Sequence, residues 1–209
     1  MNSVSYAFLD NAPVIPVIAI QKLEHAVPLA EALVAGGIMN LEVTLRTEHG
    51  LKAITLIRDQ VQGANVGVGT VCNATEFDAA VDAGANFVVS PGQSDALFKR
   101  ALLTKIPFLP GAVTATEVMA AKEAGFNVLK FFPASTSGGA DAIKAFAGPF
   151  ADLQFVPTGG INLNNAASYL SLSNVSAVGG SWLTPADAIQ NGQWEHIIQI
   201  AREASHLGA

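Results

Sequence analysis

Short runs of β-branched and apolar residues alternate along the chain with longer stretches in which apolar residues recur at helical spacing. This alternation is typical of repeated βα units around a parallel sheet, and eight such units follow one another. The predicted strands cover residues 14–20, 38–45, 65–69, 87–90, 108–110, 127–132, 153–158 and 175–179. The predicted helices cover residues 23–35, 48–61, 74–83, 94–104, 114–124, 140–146, 162–170 and 193–204.

Ala-Gly turns end several of these helices just before a strand. Gly36, Gly84 and Gly125 stand where a left-handed residue would terminate a helix. The segments ALVAGGIMNLEV, AAVDAGANFVV and AAKEAGFNVLKF repeat the order of helix, turn and strand. This repetition indicates one structural unit used several times.

Eight units without a long linker favour a closed (β/α)8 TIM barrel of the α/β class. We expect one domain, residues 1–209, with a short helical segment before the first strand. The alternative is an open doubly wound sheet, but the first turn lacks the GxGxxG sequence of dinucleotide-binding folds.

Composition narrows the function classes. Half of the 209 residues are apolar, 13% are charged and the formal net charge is -6, which disfavours a nucleic-acid surface. The single cysteine, Cys72, excludes a disulfide framework and suits a reducing compartment. No apolar run approaches the length of a membrane span and no leader sequence is evident, so we expect a cytoplasmic protein.

The C-terminal ends of the predicted strands hold the polar residues of interest, because barrel enzymes place their chemistry there. The second strand ends LEVTLRT and the sixth ends VLKFFP. Period two puts Glu42 and Arg46 on one face of the second strand, and Lys130 and Phe132 on one face of the sixth. If both faces point inward, Glu42 and Lys130 project into the barrel together.

Lys130 is therefore a candidate imine-forming nucleophile. An ammonium group in an apolar interior is costly, which favours the neutral, nucleophilic amine near pH 7. Glu42 beside it can relay protons as a general acid/base. The alternatives are a strand-end lysine that reaches out to solvent, and a structural ion pair of Glu42 with Lys130 or Arg46.

Two further sets of strand-end residues suit anions. Arg46 has a planar fork for a substrate carboxylate, with the hydroxyl of Thr70 at the next strand end. The last two strands end in Gly-Gly turns, where barrels commonly bind phosphate through backbone N–H groups. Those turns are Thr158-Gly159-Gly160 and Gly179-Gly180-Ser181.

Metal and thiol chemistry have little support in the sequence. The histidines fall in predicted helices without HxH or HExxH spacing, and we expect no metal and no cofactor. Cys72 has no basic neighbour and is better explained as a packed thiol. The histidines are His25, His49, His196 and His206.

The segments PVIPVIAI, LEVTLRTEHG, VGVGTV, SPG, KFFPAS, PTGGI and GGSWL occur in order across nearly the whole chain. Together they closely resemble the bacterial 2-keto-3-deoxy-6-phosphogluconate (KDPG) aldolases, also called 4-hydroxy-2-oxoglutarate (KHG) aldolases. The resemblance implies a metal-independent, homotrimeric class I aldolase of the Entner–Doudoroff pathway. Such an enzyme splits KDPG into pyruvate and glyceraldehyde 3-phosphate, and we expect it also to split KHG into pyruvate and glyoxylate.

The resemblance also implies roles for individual residues. Lys130 is similar to the family's Schiff-base lysine and Glu42 to its general acid/base. Arg46 and Thr70 match the residues that hold the pyruvyl carboxylate. Pocket-lining residues of the pyruvyl half match Pro91 and Phe132. The distal and phosphate-binding end matches Thr158, Gly159, Gly160, Gly180 and Ser181.

Ser135 departs from the expected FFPAE, which puts only loop contacts in doubt. A sister group acts on the galactonate epimer but has a shorter strand-two sequence, so Arg46 favours the gluconate enzyme. Two other hypotheses stay open. One is a phosphosugar isomerase or epimerase with Glu42 as base, and the other is a sugar-phosphate-binding protein without activity.

Overall fold

The computed structural model describes residues 4–10 and 12–208. Eight strands and their connecting helices follow the predicted order. The strands are β1 Val14–Ile18, β2 Asn40–Thr44, β3 Asn65–Gly69, β4 Val88–Val89, β5 Phe108–Leu109, β6 Val128–Phe131, β7 Gln154–Pro157 and β8 Val178–Gly180. The α-helices are α1 Ala26–Ala35, α2 Gly50–Gln60, α3 Ala74–Asp82, α4 Asp95–Leu102, α5 Ala115–Glu123, α6 Gly139–Phe146, α7 Ala166–Leu170, α8 Ala186–Gln190 and α9 Trp194–Ser205. Short 3-10 helices lie at Ala7–Leu9, Leu23–His25 and Ser135–Ser137.

All the strand pairs are parallel and the sheet closes on itself. Six strands pair in the order β5-β4-β3-β2-β1-β8, and β6 pairs with β7. Single bridges join the two parts, from Gly111 to Lys130 on one side and from Thr158 to Gly179 on the other. The prediction of a (β/α)8 TIM barrel is confirmed.

Alternation along the strands separates two apolar regions. In β6 the side chains of Leu129 and Phe131 pack under the helices, whereas Val128 faces the barrel interior. Successive side chains of a strand point to opposite faces, so each strand contributes to both regions. The interior cluster includes Ile15, Phe87, Val89, Leu109, Val156 and Ala177.

The N-terminal end of the barrel is filled by the residues before β1. Phe8 stacks on Phe87 with ring centroids 4.7 Å apart, and the Tyr6 hydroxyl donates to the Phe108 carbonyl at 2.8 Å. Leu9 is buried beside them. We call Tyr6, Phe8 and Leu9, with the asparagines beneath them, the closed end of the barrel.

Those asparagines form a hydrogen-bonded ladder across neighbouring strands. Asn86 Nδ2 donates to Asn65 Oδ1 at 2.8 Å, and Asn65 Nδ2 donates to Asn40 Oδ1 at 2.8 Å. Asn40 Nδ2 then donates to the Phe8 carbonyl at 2.6 Å. The asparagine ladder thus ties the N-terminal segment to the strands.

Several details differ from the sequence predictions, and most predicted strands and helices are shorter in the structure. The left-handed residue after α1 is Gly37, with φ 91°, and not Gly36. Gly36 is instead a packing site, because a Cβ there would lie 2.4 Å from the Cβ of Ala201 on α9. β8 begins later than predicted, since Val175 makes only an isolated bridge to Phe155. Helix α8 was not predicted.

Among residues 4–10 and 12–208, no helix combines the length and the apolarity required to cross a membrane.

Candidate active site

Lys130 and Glu42 meet inside the mouth of the barrel, at the C-terminal ends of the strands. Lys130 Nζ lies 3.0 Å from Glu42 Oε1, and the two side chains are 3% and 4% exposed. Gly69 on β3 leaves room for the carboxylate, because a Cβ there would lie 2.2 Å from Glu42 Oε1. β6 and β2 thus present an amine and a carboxylate to each other across the interior.

This pair can exchange a proton directly. The donor–acceptor distance is that of an N–H···O hydrogen bond, and burial strengthens the interaction. The ring of Phe132 lies 5.4 Å from Lys130 Nζ and shields one side of the amine. The neutral form of Lys130 would be a nucleophile in a site that excludes bulk water.

Pro91 lies near Lys130 because its backbone packs against Gly111, which neighbours the lysine strand. A Cβ on Gly111 would lie 2.2 Å from the Pro91 carbonyl oxygen, so the loop after β4 packs directly on that backbone. Gly111 in turn bridges to Lys130. Pro91 and Phe132 therefore both lie close to the lysine strand.

Arg46 and Thr70 form a second group at the rim. Arg46 Nε donates to Thr70 Oγ1 at 3.1 Å, and Arg46 is exposed. Thr70 has φ 65°, an unfavourable conformation for a β-branched residue. Such backbone strain is found where the surrounding structure holds a side chain in a required position. Here it holds the hydroxyl against the guanidinium.

Thr158 and the glycine turns form the opposite side of the mouth. Thr158 Oγ1 is buried and has no hydrogen-bond partner among the described residues. Gly159 and Gly160 have φ values of 102° and 74°, which favour glycine. An unsatisfied buried hydroxyl is costly in a folded protein, so the group is available to a bound molecule.

The two glycine turns differ in what surrounds them. A Cβ on Gly160 would lie 2.1 Å from the hydroxyl oxygen of Ser135, the residue that departs from the expected FFPAE. A Cβ on Gly180 would lie 1.7 Å from the ring of Trp182. Each glycine therefore permits a close contact with a neighbouring side chain.

A cavity of about 530 Å³ opens above the end of β1, between α1 and α8. Arg46 and Ser181 line it, and so do Gln21, Lys22 and His25. The last three were not predicted as site residues. Gln21 and Lys22 follow the apolar run IPVIAI, so the rule that strand ends carry polar site residues, applied to β1, would have found them.

Metal and thiol sites have little support from the geometry. Among the described residues, no three His, Cys, Asp or Glu side chains lie close enough to hold a metal ion. Cys72 is exposed near the rim, so the prediction of a packed thiol is wrong. Partial burial, and then the charge of Glu76, raise the pKa of its thiol, which disfavours the thiolate needed for nucleophilic attack.

Known proteins are similar to this chain over nearly its whole length. The family model of the KDPG and KHG aldolases covers residues 6–200. The 2-dehydro-3-deoxy-phosphogluconate aldolase of Dickeya dadantii is 50% identical over 94% of this chain and 92% of its own. The KHG/KDPG aldolase of Escherichia coli K12 is 48% identical over 95% and 93% of the two chains.

A solved structure agrees at the level of the fold. The KDPG aldolase of Legionella pneumophila superimposes with a TM-score of 0.92 and 45% identity, over 95% of this chain and 96% of its own. That protein was captured with pyruvate as a covalent carbinolamine intermediate.

Proposed function

The chain belongs to the KDPG and KHG aldolase family, and from that membership we propose that Lys130 and Glu42 carry out its reaction. The enzyme is a carbon–carbon lyase of the metal-independent class I type. It cleaves KDPG to pyruvate and glyceraldehyde 3-phosphate. One observation carries the assignment of residues, namely the buried contact of 3.0 Å between Lys130 Nζ and Glu42 Oε1.

The reaction begins with the neutral amine of Lys130. Nζ attacks the C2 carbonyl of the substrate, and Glu42 delivers the proton that lets the carbinolamine lose water. The resulting iminium withdraws electrons from C3. Arg46 and Thr70 hold the C1 carboxylate, since the Nε bond to Thr70 fixes the guanidinium and leaves its Nη groups for the substrate.

Carbon–carbon cleavage follows from the iminium. A base, Glu42 directly or through water, removes the proton of the C4 hydroxyl, the C3–C4 bond breaks, and its electron pair forms the enamine of pyruvate. Glyceraldehyde 3-phosphate leaves. Protonation of C3 and hydrolysis of the imine release pyruvate and restore the amine.

The remaining predicted residues are assigned to the two ends of the substrate. Pro91 and Phe132 line the pyruvyl pocket. Thr158 binds the hydroxyls of the distal half, a role supported by its unpartnered Oγ1. The phosphate lies against the turns after β7 and β8. The residues of those turns are Gly159, Gly160, Gly180 and Ser181.

We further propose that residues 1–209 act as one aldolase domain, in the cytoplasm and as a homotrimer. The family resemblance implies this assembly. Light scattering of the purified protein would test it, with a mass of three chains expected, and a stable monomer or dimer would contradict it.

The first test measures pyruvate with lactate dehydrogenase while KDPG is supplied in the presence of EDTA. The wild-type protein should release pyruvate rapidly, and Lys130→Ala should abolish release. Borohydride reduction with pyruvate should add a reduced pyruvyl group to the Lys130 peptide. Active protein with an unmodified Lys130 peptide would overturn the assignment.

Three alternative functions predict different outcomes in this assay. Release of pyruvate from the galactonate epimer but not from KDPG would identify the sister activity. Turnover without pyruvate, retained in Lys130→Ala, would indicate an isomerase or epimerase with Glu42 as base. Absence of any turnover would leave a binding protein.

A further inference from the structure

The cavity above β1 has an unusual charge composition for this chain. The chain contains 17 acidic residues against 11 lysines and arginines. Yet none of the described residues that line the cavity is Asp or Glu, whereas Lys22 and Arg46 are both among them. A cleft lined by one sign of charge concentrates ligands of the opposite sign. This cavity is therefore suited to an anion.

The cavity also adjoins the phosphate end of the proposed site. Ser181, in the turn after β8, is part of its lining. β8 and β2 are the two neighbours of β1, so the cavity lies between the Ser181 turn and Arg46. A phosphate bound at the Gly180-Ser181 turn would thus face the residues that follow β1.

The predicted phosphate-binding residues supply backbone N–H groups but no cation. Thr158, the glycines and Ser181 offer only neutral groups. Arg46 is committed to the carboxylate end through its bond to Thr70. His25 is engaged by the carboxylate of Glu24 at 3.8 Å and by the ring of Trp194 at 5.9 Å between centroids. Among the described residues, the side chain of Lys22 makes neither an ion pair nor a hydrogen bond.

The backbone of Lys22 is well placed for this role. Its carbonyl accepts the His25 N–H at 3.0 Å, which anchors Lys22 at the start of the 3-10 helix Leu23–His25. Its side chain is exposed at the cavity and can reach an anion there without loss of packing. An ammonium group on a flexible stem is a common partner for phosphate.

We propose that Lys22 binds the phosphate of the substrate from the β1 side and thereby sets the preference for phosphorylated substrates. The inference rests on the proposed aldolase function. KHG shares the pyruvyl half of KDPG but ends in a carboxylate at C5 and carries no phosphate, so it gains less from Lys22 than KDPG does. Lys22 therefore raises the ratio of the two kcat/KM values, KDPG over KHG.

The experiment compares that ratio in wild-type protein and Lys22→Gln. Loss of one charge-assisted hydrogen bond at an exposed site should lower the ratio about tenfold, mainly through KM for KDPG. Lys22→Arg, which keeps the charge, should restore most of the ratio. Lys99→Gln, an exposed substitution in the last turn of α4, is the matched control and should leave the ratio at the wild-type value.

A binding measurement gives a second readout. Inorganic phosphate should inhibit KDPG cleavage competitively, and Lys22→Gln should weaken that inhibition by a similar factor. An unchanged ratio together with unchanged inhibition would overturn the role of Lys22 while leaving the aldolase intact. No pyruvate from either substrate in the wild-type protein would instead overturn the proposed function.

Discussion

The two ends of the barrel interior differ in how far their polar side chains are hydrogen-bonded. At the closed end each side-chain amide passes a hydrogen bond to the next, from Asn86 to Asn65 to Asn40. At the mouth the buried hydroxyl of Thr158 has no partner among the described residues, and Lys130 faces a single carboxylate. Satisfied polar networks rigidify a fold, whereas unsatisfied groups remain available for a ligand. The comparison separates a stabilising end from a reactive end.

The largest effect is expected at the reactive end. Glu42→Leu leaves the buried amine of Lys130 without its partner and should lower the free energy of unfolding by about 3 kcal/mol. The double variant Glu42→Leu with Lys130→Met removes both charges and should recover that loss while remaining inactive. Urea denaturation would measure both. A double variant no more stable than the single one would mean that the contact between Glu42 and Lys130 itself stabilises the fold.

The asparagine ladder gives the converse test. Asn65→Ala removes the middle member and leaves the Oδ1 of the buried Asn40 without its donor, which should cost about 2 kcal/mol. Aldolase kcat should not change, since the ladder lies at the other end of the interior. Asn86→Ala is the matched control and should cost less, because Asn86 is exposed. A large fall in kcat for Asn65→Ala would show that the two ends are coupled.

Alkaline pH should weaken the closed end. Burial raises the pKa of Tyr6 to about 12 from 10.0. Between these values the unfolded chain loses the phenol proton while the folded chain keeps it, so stability falls as pH rises. The loss should approach about 2 kcal/mol at pH 12. Unfolding midpoints across this range should show the fall, and Tyr6→Phe should remove that component.

The smallest effect on stability is expected for a substitution of Thr70, at the rim of the barrel mouth. Thr70→Gly relieves the left-handed backbone and should stabilise the fold by up to about 1 kcal/mol. The same change deletes the hydroxyl that holds Arg46, so KM for KDPG should rise. Thr70→Ser, which keeps the hydroxyl, should retain most of the activity. A more stable Thr70→Gly with an unchanged KM would show that the strain has no function.

The regular parts of the fold were predictable because they depend on local patterns. β3 has the predicted bounds, residues 65–69, since its apolar run and flanking turns are clear. β8 starts three residues late because pairing with β1, a tertiary contact, determines where its ladder begins. Helix α8 was missed because it is only five residues long, although Pro185 before it and Gly192 after it are helix-boundary signals.

The site was predictable where strand periodicity determines direction. Inward faces of β2 and β6 bring Glu42 and Lys130 together as the alternation predicts. The conformation of Thr70 could not be predicted, because a β-branched residue disfavours positive φ. The cavity beside Lys22 could not be predicted from the sequence either, because its shape depends on where α8 packs relative to the 3-10 helix before α1.

The single bridge between β5 and β6 has a consequence for amide hydrogen exchange. In the described part of the chain, the backbone of Lys130 makes both hydrogen bonds across this junction, one from its N–H to Pro110 and one from Ala112 to its carbonyl. The residue that we propose as the Schiff-base nucleophile therefore also joins the two parts of the barrel wall. Formation of an imine at Lys130 should change how often the β5–β6 junction opens. The hydrogen-exchange rates of the Lys130 and Ala112 amides should therefore change when pyruvate is bound to Lys130 as an imine.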